Sequence, residues 1–321
     1  MSNNNPKRVL IVHYSQTGQL SSVVRSIGHA MESGGSSVRH ECLRPLTPYP
    51  FPWPLLSFFD VFPESVFLDP PALQPLSVNP DEHFDLIILA YQVWFLSPAL
   101  PMTAFIKSAA GRKLLANRPV ITVIACRNMW LMAQEKMKDL LGEVGARLLD
   151  NVALVDKTPS LLTFLTTPRW LLTGNKGKPD GLLPEAGISP GDINDAARFG
   201  RAIAAALREG REQQHAPLLN GLEAVKVDTR LIASEKIGAR SFFIWGKLLR
   251  ALGRPGTPAR RLALVMYIAF LIGMIVTVVP ITMTLKFLLR PWLQPSLEKQ
   301  RHYFEAPSGS ASNRMTEFSH D

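Results

Sequence analysis

The sequence has few of the residues that stabilise small extracellular domains or build metal centres. It contains two cysteines, Cys42 and Cys126, and seven histidines without metal-ligand spacing. Two cysteines exclude a disulfide framework and are typical of a protein in a reducing compartment. The polar start MSNNNPKR runs directly into an apolar run. We therefore expect no secretory signal peptide and no metal site.

Two common nucleotide-binding signatures are also missing. No Gly-x-Gly-x-x-Gly is present, and no Gly-Lys-Ser/Thr follows a glycine-rich turn, which argues against a dinucleotide fingerprint and a Walker loop. What is present is the stretch VLIVHYSQTGQLSS at residues 9–22. Its apolar, β-branched start predicts a buried parallel strand, and the small residues that follow predict a turn into a helix. Backbone N–H groups and hydroxyls of such a turn can bind a phosphate group.

The pattern Ser-x-Thr-Gly after a strand resembles the phosphate loop of flavodoxins, which binds the monophosphate of FMN. The resemblance implies phosphate contacts from one short segment, namely Ser15, Gln16, Thr17, Gly18, Gln19 and Leu20. Flavodoxins usually carry a second threonine at the position of Leu20, so Ser21 or Ser22 would have to supply the missing hydroxyl. An ordinary turn between a strand and a helix is the alternative.

Strand and helix patterns alternate along the first part of the chain. Strands are predicted at residues 9–15, 37–43, 84–91, 119–126 and 146–156, with helices at 20–33, 99–110, 129–142 and 192–209. This order predicts an α/β fold in residues 1–210, a flavodoxin-like, doubly wound, five-stranded parallel sheet. Ligands of such sheets bind at the carboxyl ends of the strands.

Two stretches interrupt this alternation. Residues 45–80 hold ten of the 26 prolines together with seven aromatic residues. Proline at that density disfavours regular structure, and so many aromatic side chains must be covered. The insertion is therefore either a loop packed on its own domain or a wall around a lipophilic substrate. Residues 157–189 are predicted to be a second irregular stretch of this kind.

The loops after the third and fourth strands carry candidates for binding a flavin ring. The first loop supplies aromatic and backbone groups, and the second supplies a cation where negative charge develops on a reduced flavin. The predicted ring contacts are Gln92, Val93, Trp94, Phe95, Cys126, Arg127 and Asn128. The predicted catalytic residues are Tyr91, Arg127 and Asp156, with His13 as a further candidate base by residue type. Ordinary packing is the alternative for each aromatic side chain.

The positive charge of the chain is concentrated in its C-terminal third. Residues 226–261 hold nine basic residues against Asp228 and Glu235, a net charge of +7. After a polar linker at 211–230, helical spacing of apolar residues at 231–252 predicts an interfacial amphipathic helix on anionic lipid. Residues 262–285 carry no charge, which predicts one transmembrane helix at 262–289, with a buried core helix as the alternative. Membrane lipid, rather than nucleic acid, is therefore the expected partner of the basic stretch.

The charges on either side of the uncharged run predict its orientation. The residues before it carry +7, and the residues after it carry +1. Because positive residues stay on the cytoplasmic side, we expect a single-pass inner-membrane protein with its catalytic domain in the cytoplasm. Residues 294–321 are polar and are predicted to form a disordered tail.

Four segments together resemble a more specific family. They read YSQTGQL, AYQVWFLSPALP, VITVIACRNMWLMAQEKMK and TTPRWLLTG, and they lie between residues 9 and 174. Similar segments occur in the flavodoxin-like proteins called dialkylresorcinol condensing enzymes, which accompany ketosynthases in bacterial aryl-lipid gene clusters. The resemblance implies a part in making dialkylresorcinols, with a lipophilic substrate and a ketosynthase partner.

The name of that family fits the residues poorly, because condensation on thioesters needs a thiolate with nearby histidines and Cys126 has none in sequence. We therefore expect FMN-dependent oxidative aromatisation of a dialkylcyclohexanedione to a dialkylresorcinol. An NAD(P)H:quinone-type reductase with the same anchor is a second reading. A third is an electron carrier, although such carriers are acidic and this chain has a net charge of +9. A fourth is a scaffold that lost its flavin, because of Leu20.

Overall fold

A computed structural model describes residues 5–177 and 184–319. One sheet contains five strands: β1 (Arg8–His13), β2 (Ser37–Cys42), β3 (Leu86–Tyr91), β4 (Pro119–Cys126) and β5 (Arg147–Val155). Their order is β2-β1-β3-β4-β5, and all neighbours are parallel. This is the flavodoxin-like strand order. The predicted fold class is therefore confirmed.

Helices connect and cover these strands. They are α1 (Gln19–Ser33), α2 (Leu55–Asp60), α3 (Phe62–Val66), α4 (Leu100–Lys107), α5 (Ala109–Leu115), α6 (Leu131–Glu143), α7 (Ser160–Thr173), α8 (Pro190–Asp195), α9 (Ala197–Arg208), α10 (Thr229–Ala251) and α11 (Pro258–Glu305). α1 and α9 pack against each other on one face of the sheet. Gly200 permits this approach, because a Cβ there would lie 2.2 Å from the carbonyl oxygen of Ile27. Right-handed crossovers place α4 to α6 on the opposite face.

The two stretches predicted to be irregular contain helices. The insertion at 45–80 forms α2 and α3, and residues 157–189 include α7. Pro54 immediately precedes α2, and Pro63 lies in the first turn of α3. Proline is tolerated at a helix start because the first N–H groups have no partner within the helix. The helices of the insertion are therefore short, and these prolines lie at helix starts, where they are compatible with helical structure.

Residues 211–230 differ from the predicted polar linker, because they cover the outer edge of β5. Leu218, Leu219, Leu222 and Val225 are buried in the main core. The N–H of Ala153 in β5 donates to the carbonyl oxygen of Ala224 at 2.9 Å. This segment is therefore part of the α/β domain.

The C-terminal residues also differ from the predicted disordered tail. α11 continues to Glu305, and Ser308 after it is fully buried. The Ser308 hydroxyl donates to Oδ1 of Asp150 at 2.8 Å and accepts the N–H of Asn151 at 2.7 Å. A polar tail lacks the apolar period that predicts packing, and here hydrogen bonds to β5 fix it instead.

The C-terminal helices contain the apolar stretch that was predicted to cross a membrane. Pro258–Thr277, in α11, is the one stretch within the described residues that is long and apolar enough to cross a membrane. The side chains at 278–280 and 282–293, within the predicted 262–289 span, lie outside the described residues. Arg260, before the predicted span, bonds to Asp60 and Glu64 of the insertion, and Ser308, after it, bonds to β5. Residues on both sides of the span therefore contact the α/β domain or its insertion.

Replacing Ser308 tests how firmly the tail is held. Ser308→Ala leaves the buried N–H of Asn151 without an acceptor, so we expect the free energy of unfolding to fall by about 1–3 kcal/mol. Ser312→Ala, at an exposed position of the same tail, should change it by less than about 0.5 kcal/mol. Urea unfolding followed by circular dichroism measures both. Equal stability of the two variants would contradict the buried tail.

Candidate active site

The candidate phosphate loop joins β1 to α1 at the carboxyl edge of the sheet. Gly18 has a φ of 81° and precedes α1, which no side chain caps. Glycine is favoured in this left-handed conformation, and a Cβ at Gly18 would meet no atom within 4 Å. The turn therefore has open space beside it, at the end of α1 where the first N–H groups lack partners within the helix.

Two hydroxyl oxygens in this loop are buried without a hydrogen-bond partner. They are Oγ of Ser15 and Oγ1 of Thr17, and Nδ1 of His13 at the end of β1 is a third such atom. Leaving a buried polar atom unpaired costs about 1–3 kcal/mol, so each such atom calls for an explanation. Hydroxyls at a helix start can donate to an anion at the positive end of that helix.

His13 stays neutral in this position. Burial, with a smaller contribution from His40, lowers the pKa of His13 to about 4. The centroids of the two rings lie 6.0 Å apart. A neutral imidazole can donate one hydrogen bond and accept another, but a pKa so far below neutrality makes His13 a weak base.

The other residues of the predicted loop hold neighbouring segments in place. The N–H of Gln16 donates to Oε1 of Gln92 at 3.1 Å, and the Gln16 side chain bonds the backbone of the insertion. The Gln19 amide bonds both the N–H and the carbonyl of Ile188, at 3.0 Å each. The Leu20 side chain is fully buried in the core. Leu20 lies in the first turn of α1, and its place in the phosphate site stays a prediction.

Loop three, after β3, is a tight hairpin that pairs Val93–Trp94 with Ser97–Pro98. Its two turn residues, Phe95 and Leu96, have φ values of 49° and 58°, and Met129 in loop four has a φ of 55°. Positive φ costs a large side chain about 1–2 kcal/mol. Strained backbone of this kind clusters at functional sites, and here it occurs in both loops predicted to bind a flavin ring.

Trp94 lies beside the phosphate loop, as predicted for a ring contact. Its ring centroid lies 5.9 Å from that of Tyr14, which follows β1. The centroid also lies 5.0 Å from Tyr49 and 5.8 Å from Trp53, both in the insertion. Tyr14, Tyr49 and Trp53 were not among the predicted site residues. The aromatic composition of the insertion predicted that it is covered, but composition does not identify the partner.

Phe95 lies between the insertion and α10, away from the phosphate loop. Its ring centroid is 4.9 Å from Phe58, 5.6 Å from Phe62 and 5.8 Å from Phe242. Phe62 in turn lies 4.7 Å from Tyr267 of α11. We call this continuous series of rings, from Tyr14 through Trp94, Trp53, Phe58, Phe95 and Phe62 to Tyr267, the aromatic row. It connects the candidate flavin loops to the C-terminal helices.

Loop four places Arg127 and Cys126 at the end of β4. The Arg127 guanidinium lies 4.4 Å over the ring of Phe164 in α7, and its Nε donates to Oδ1 of Asn128 at 3.1 Å. Burial raises the pKa of the Cys126 thiol well above its ordinary value. A protonated thiol is a poor nucleophile, so this cysteine does not fit thiolate-dependent condensation.

Tyr91 and Asp156, both predicted to be catalytic, make structural hydrogen bonds. Tyr91 is fully buried and donates to Oε1 of Gln134 at 2.6 Å. One oxygen of Asp156 accepts the N–H of Thr158 at 2.8 Å, and the other accepts the N–H of Gly187 at 2.7 Å. The structure gives each side chain a partner, and their catalytic roles stay predictions.

Glu235 of α10 is a buried acid near this site that the sequence patterns did not identify. Its Oε1 accepts the N–H of Met132 at 2.7 Å at the start of α6, and its Oε2 has no partner. Burial raises the pKa of Glu235 to about 8, although the hydrogen bonds from α6 oppose the shift. A protonated Glu235 therefore ties α10 to the helix that follows loop four. In sequence it is one isolated acid in a basic helix.

The raised pKa of Glu235 predicts how stability depends on pH. Its stabilising contribution is full below the unfolded value of about 4.5 and is lost as pH rises through the folded value of about 8. Glu235→Gln, which keeps the acceptor oxygen, should therefore reduce the fall in melting temperature between about pH 6 and about pH 9. Glu143→Gln, at the exposed end of α6, is the control. A wild-type pH profile in Glu235→Gln would contradict the assignment.

The chain was compared with protein-family models, curated proteins and solved structures. No protein-family model and no curated protein matches the chain. Solved structures similar to it include an FMN-bound flavoprotein from Lactobacillus acidophilus NCFM, at 15% identity over 45% of this chain and 91% of that one, with a TM-score of 0.38. An archaeal flavodoxin matches at 11% identity over 63% and 99%, with a TM-score of 0.35. A protein named flavone reductase matches at 12% over 67% and 68%, with a TM-score of 0.36. The fold assignment itself rests on the strand order of this chain.

Proposed function

We propose that the protein is an FMN-dependent oxidoreductase that is attached to the inner membrane and acts on a lipophilic substrate. The observation that carries the proposal is the pair of buried, unpaired hydroxyls of Ser15 and Thr17 beside Gly18. A phosphate there would satisfy both groups and the positive end of α1 at once. Ser21 and Ser22, the other candidates for a phosphate hydroxyl, lie one turn into α1.

The side chains around this loop fit a flavin. Trp94, with Tyr14 and Tyr49 beside it, supplies aromatic surface for a planar ring. Arg127 supplies positive charge at the neighbouring strand end, where it would stabilise a reduced flavin. Bound FMN would supply a two-electron acceptor. The protein would contribute phosphate binding, ring orientation and exclusion of water.

We propose oxidative aromatisation as the reaction. A dialkylcyclohexanedione, made by a partner ketosynthase, would lose one hydride to oxidised flavin and one proton to a base, which gives a dialkylresorcinol. NAD(P)⁺ or a quinone would then accept the two electrons. The insertion would provide apolar surface for long alkyl chains, because Leu55 and Leu56 are exposed there and the rings of Phe58 and Phe59 are half-buried.

The phosphate site is tested by removing one hydroxyl. Thr17→Val should weaken FMN binding about 10- to 100-fold, because a hydrogen bond to a charged group contributes about 1.5–3 kcal/mol. Riboflavin, which lacks the phosphate, should bind wild type and Thr17→Val equally well. Fluorescence titration measures both ligands. Thr316→Val, at an exposed position of the tail, is the control, and unchanged FMN affinity in Thr17→Val would place the phosphate elsewhere.

The reaction is tested in a single turnover. Oxidised, FMN-loaded protein mixed without oxygen with a long-chain dialkylcyclohexanedione should lose its flavin absorbance and form one resorcinol per flavin. Mass spectrometry identifies the product. If the dione leaves the flavin oxidised, while NAD(P)H reduces it and a lipid quinone reoxidises it, the quinone reductase reading replaces aromatisation.

A further inference from the structure

The two ends of α11 both pack against the rest of the protein. Near its start, the Arg260 side chain is 1% exposed, and its Nε donates to Asp60 at 2.7 Å while its Nη atoms donate to Glu64 at 2.7 and 2.8 Å. Near its end, the Tyr303 hydroxyl donates to Glu135 of α6 at 2.6 Å. Both ends are therefore fixed to the α/β domain and its insertion.

The contacts with α10 show that α11 cannot be straight. Tyr267 lies 5.3 Å from Trp245, ring to ring, and Gln300 accepts from Lys236 at 2.6 Å. Trp245 and Lys236 are about 14 Å apart along α10. In a straight α11, Tyr267 and Gln300 would be about 50 Å apart. Side chains cannot bridge that difference. α11 must therefore turn back between residues 270 and 300, an interval that contains Pro280, Pro291 and Pro295.

The number of residues between 270 and 300 limits how deep this part of α11 can reach into a bilayer. Thirty residues that leave and return allow at most about 22 Å in each direction. The hydrocarbon core of a bilayer is about 30 Å thick. The returning helix is therefore too short to cross a bilayer and come back.

The outer surface of α10 and the first half of α11 is apolar. Its exposed large side chains include Ile237, Phe243, Ile244, Leu248 and Leu252 on α10, and Leu262, Val265, Met266, Phe270, Ile272 and Val276 on α11. Soluble monomers rarely expose apolar patches of this extent. We call this surface the C-terminal apolar face.

The charges next to this face identify its partner. Lys236, Arg240, Lys247, Arg254 and Arg261 are exposed beside it. No acidic residue occurs between Glu235 and Glu298 in the sequence. The exposed carboxylate of Asp69 also lies at α10, where it pairs with Arg250 at 2.9 Å. An apolar surface bordered mainly by cations matches an anionic lipid leaflet, which offers acyl chains and negative headgroups together.

We propose that α10 and α11 form an anchor that enters one leaflet of an anionic bilayer and returns, so that both ends of the chain stay on the side of the α/β domain. The proposal rests on the membrane attachment proposed above. It replaces a crossing helix with a helical hairpin whose C-terminal apolar face meets lipid. The buried contacts of Arg260 and Ser308 hold the two ends of the hairpin to the domain.

Cysteine accessibility in bacterial spheroplasts tests the topology. Cys42 is exposed on the α/β domain and serves as the internal marker of its side. The Ser312→Cys variant adds one thiol on the tail. A membrane-impermeant maleimide–polyethylene glycol is applied before and after lysis, and we expect it to modify Cys42 and the new thiol only after lysis. The mass of the modified variant should then exceed that of the modified wild type by one reagent molecule. In a second measurement, a reporter that is active only in the cytoplasm is fused to the C-terminus of the wild-type chain, which has no substitution in the tail. We expect this reporter to be active.

The outcomes separate topology from attachment. Modification of Ser312→Cys in intact spheroplasts, with Cys42 still protected, would overturn the hairpin and restore a crossing helix. Recovery of the protein in the supernatant after carbonate extraction would overturn the membrane attachment itself. Retention in the membrane with both thiols on the cytoplasmic side supports the proposal. A host periplasmic protein with a free thiol shows that the reagent is active outside intact cells.

Discussion

The contact between loop three and the C-terminal helices makes the molecule one unit. Phe95 belongs to both aromatic clusters, one around Trp94 and the other around Phe62 and Tyr267. Its left-handed backbone costs free energy, and the packing of its ring against four others offsets that cost. Phe62 and Phe67 of the insertion also contact rings of α10 directly. The candidate flavin loops and the C-terminal helices are therefore linked through packing.

The sequence predicted those parts of the fold that depend on local patterns. The apolar runs of β1, β3 and β4 identify buried parallel strands, because each residue of such a strand meets a covered face. Ser15, Thr17 and Trp94 were placed correctly at the carboxyl edge, since strand order brings the loops together there. The turn pattern does not show that the Leu20 side chain packs in the core, because it does not show which side of the helix start faces the sheet.

The remaining differences involve long-range contacts that no local pattern encodes. Ser308 is buried because Asp150 and Asn151 lie opposite it, more than 150 residues away in sequence. The return of α11 that we inferred above could not be predicted for the same reason. Hydropathy gives the length of an apolar run, but it does not show which residues hold the two ends of that run. Glu235 is an example of the opposite kind. A charged residue in a basic helix predicts an exposed position, but Glu235 is buried because it accepts a hydrogen bond from the backbone at the start of α6.

The buried tail has a consequence for the order in which the protein folds. Residues 306–318 add to the cover that residues 211–230 form on the outer edge of β5, and the ribosome makes them after the whole of α11. Until these residues arrive, the carboxylate of Asp150 and the N–H of Asn151 lack their serine partner. The apolar residues of α11 are therefore synthesised before the last contacts of the α/β domain can form. A chain that ends before residue 308 would lack two hydrogen bonds at β5.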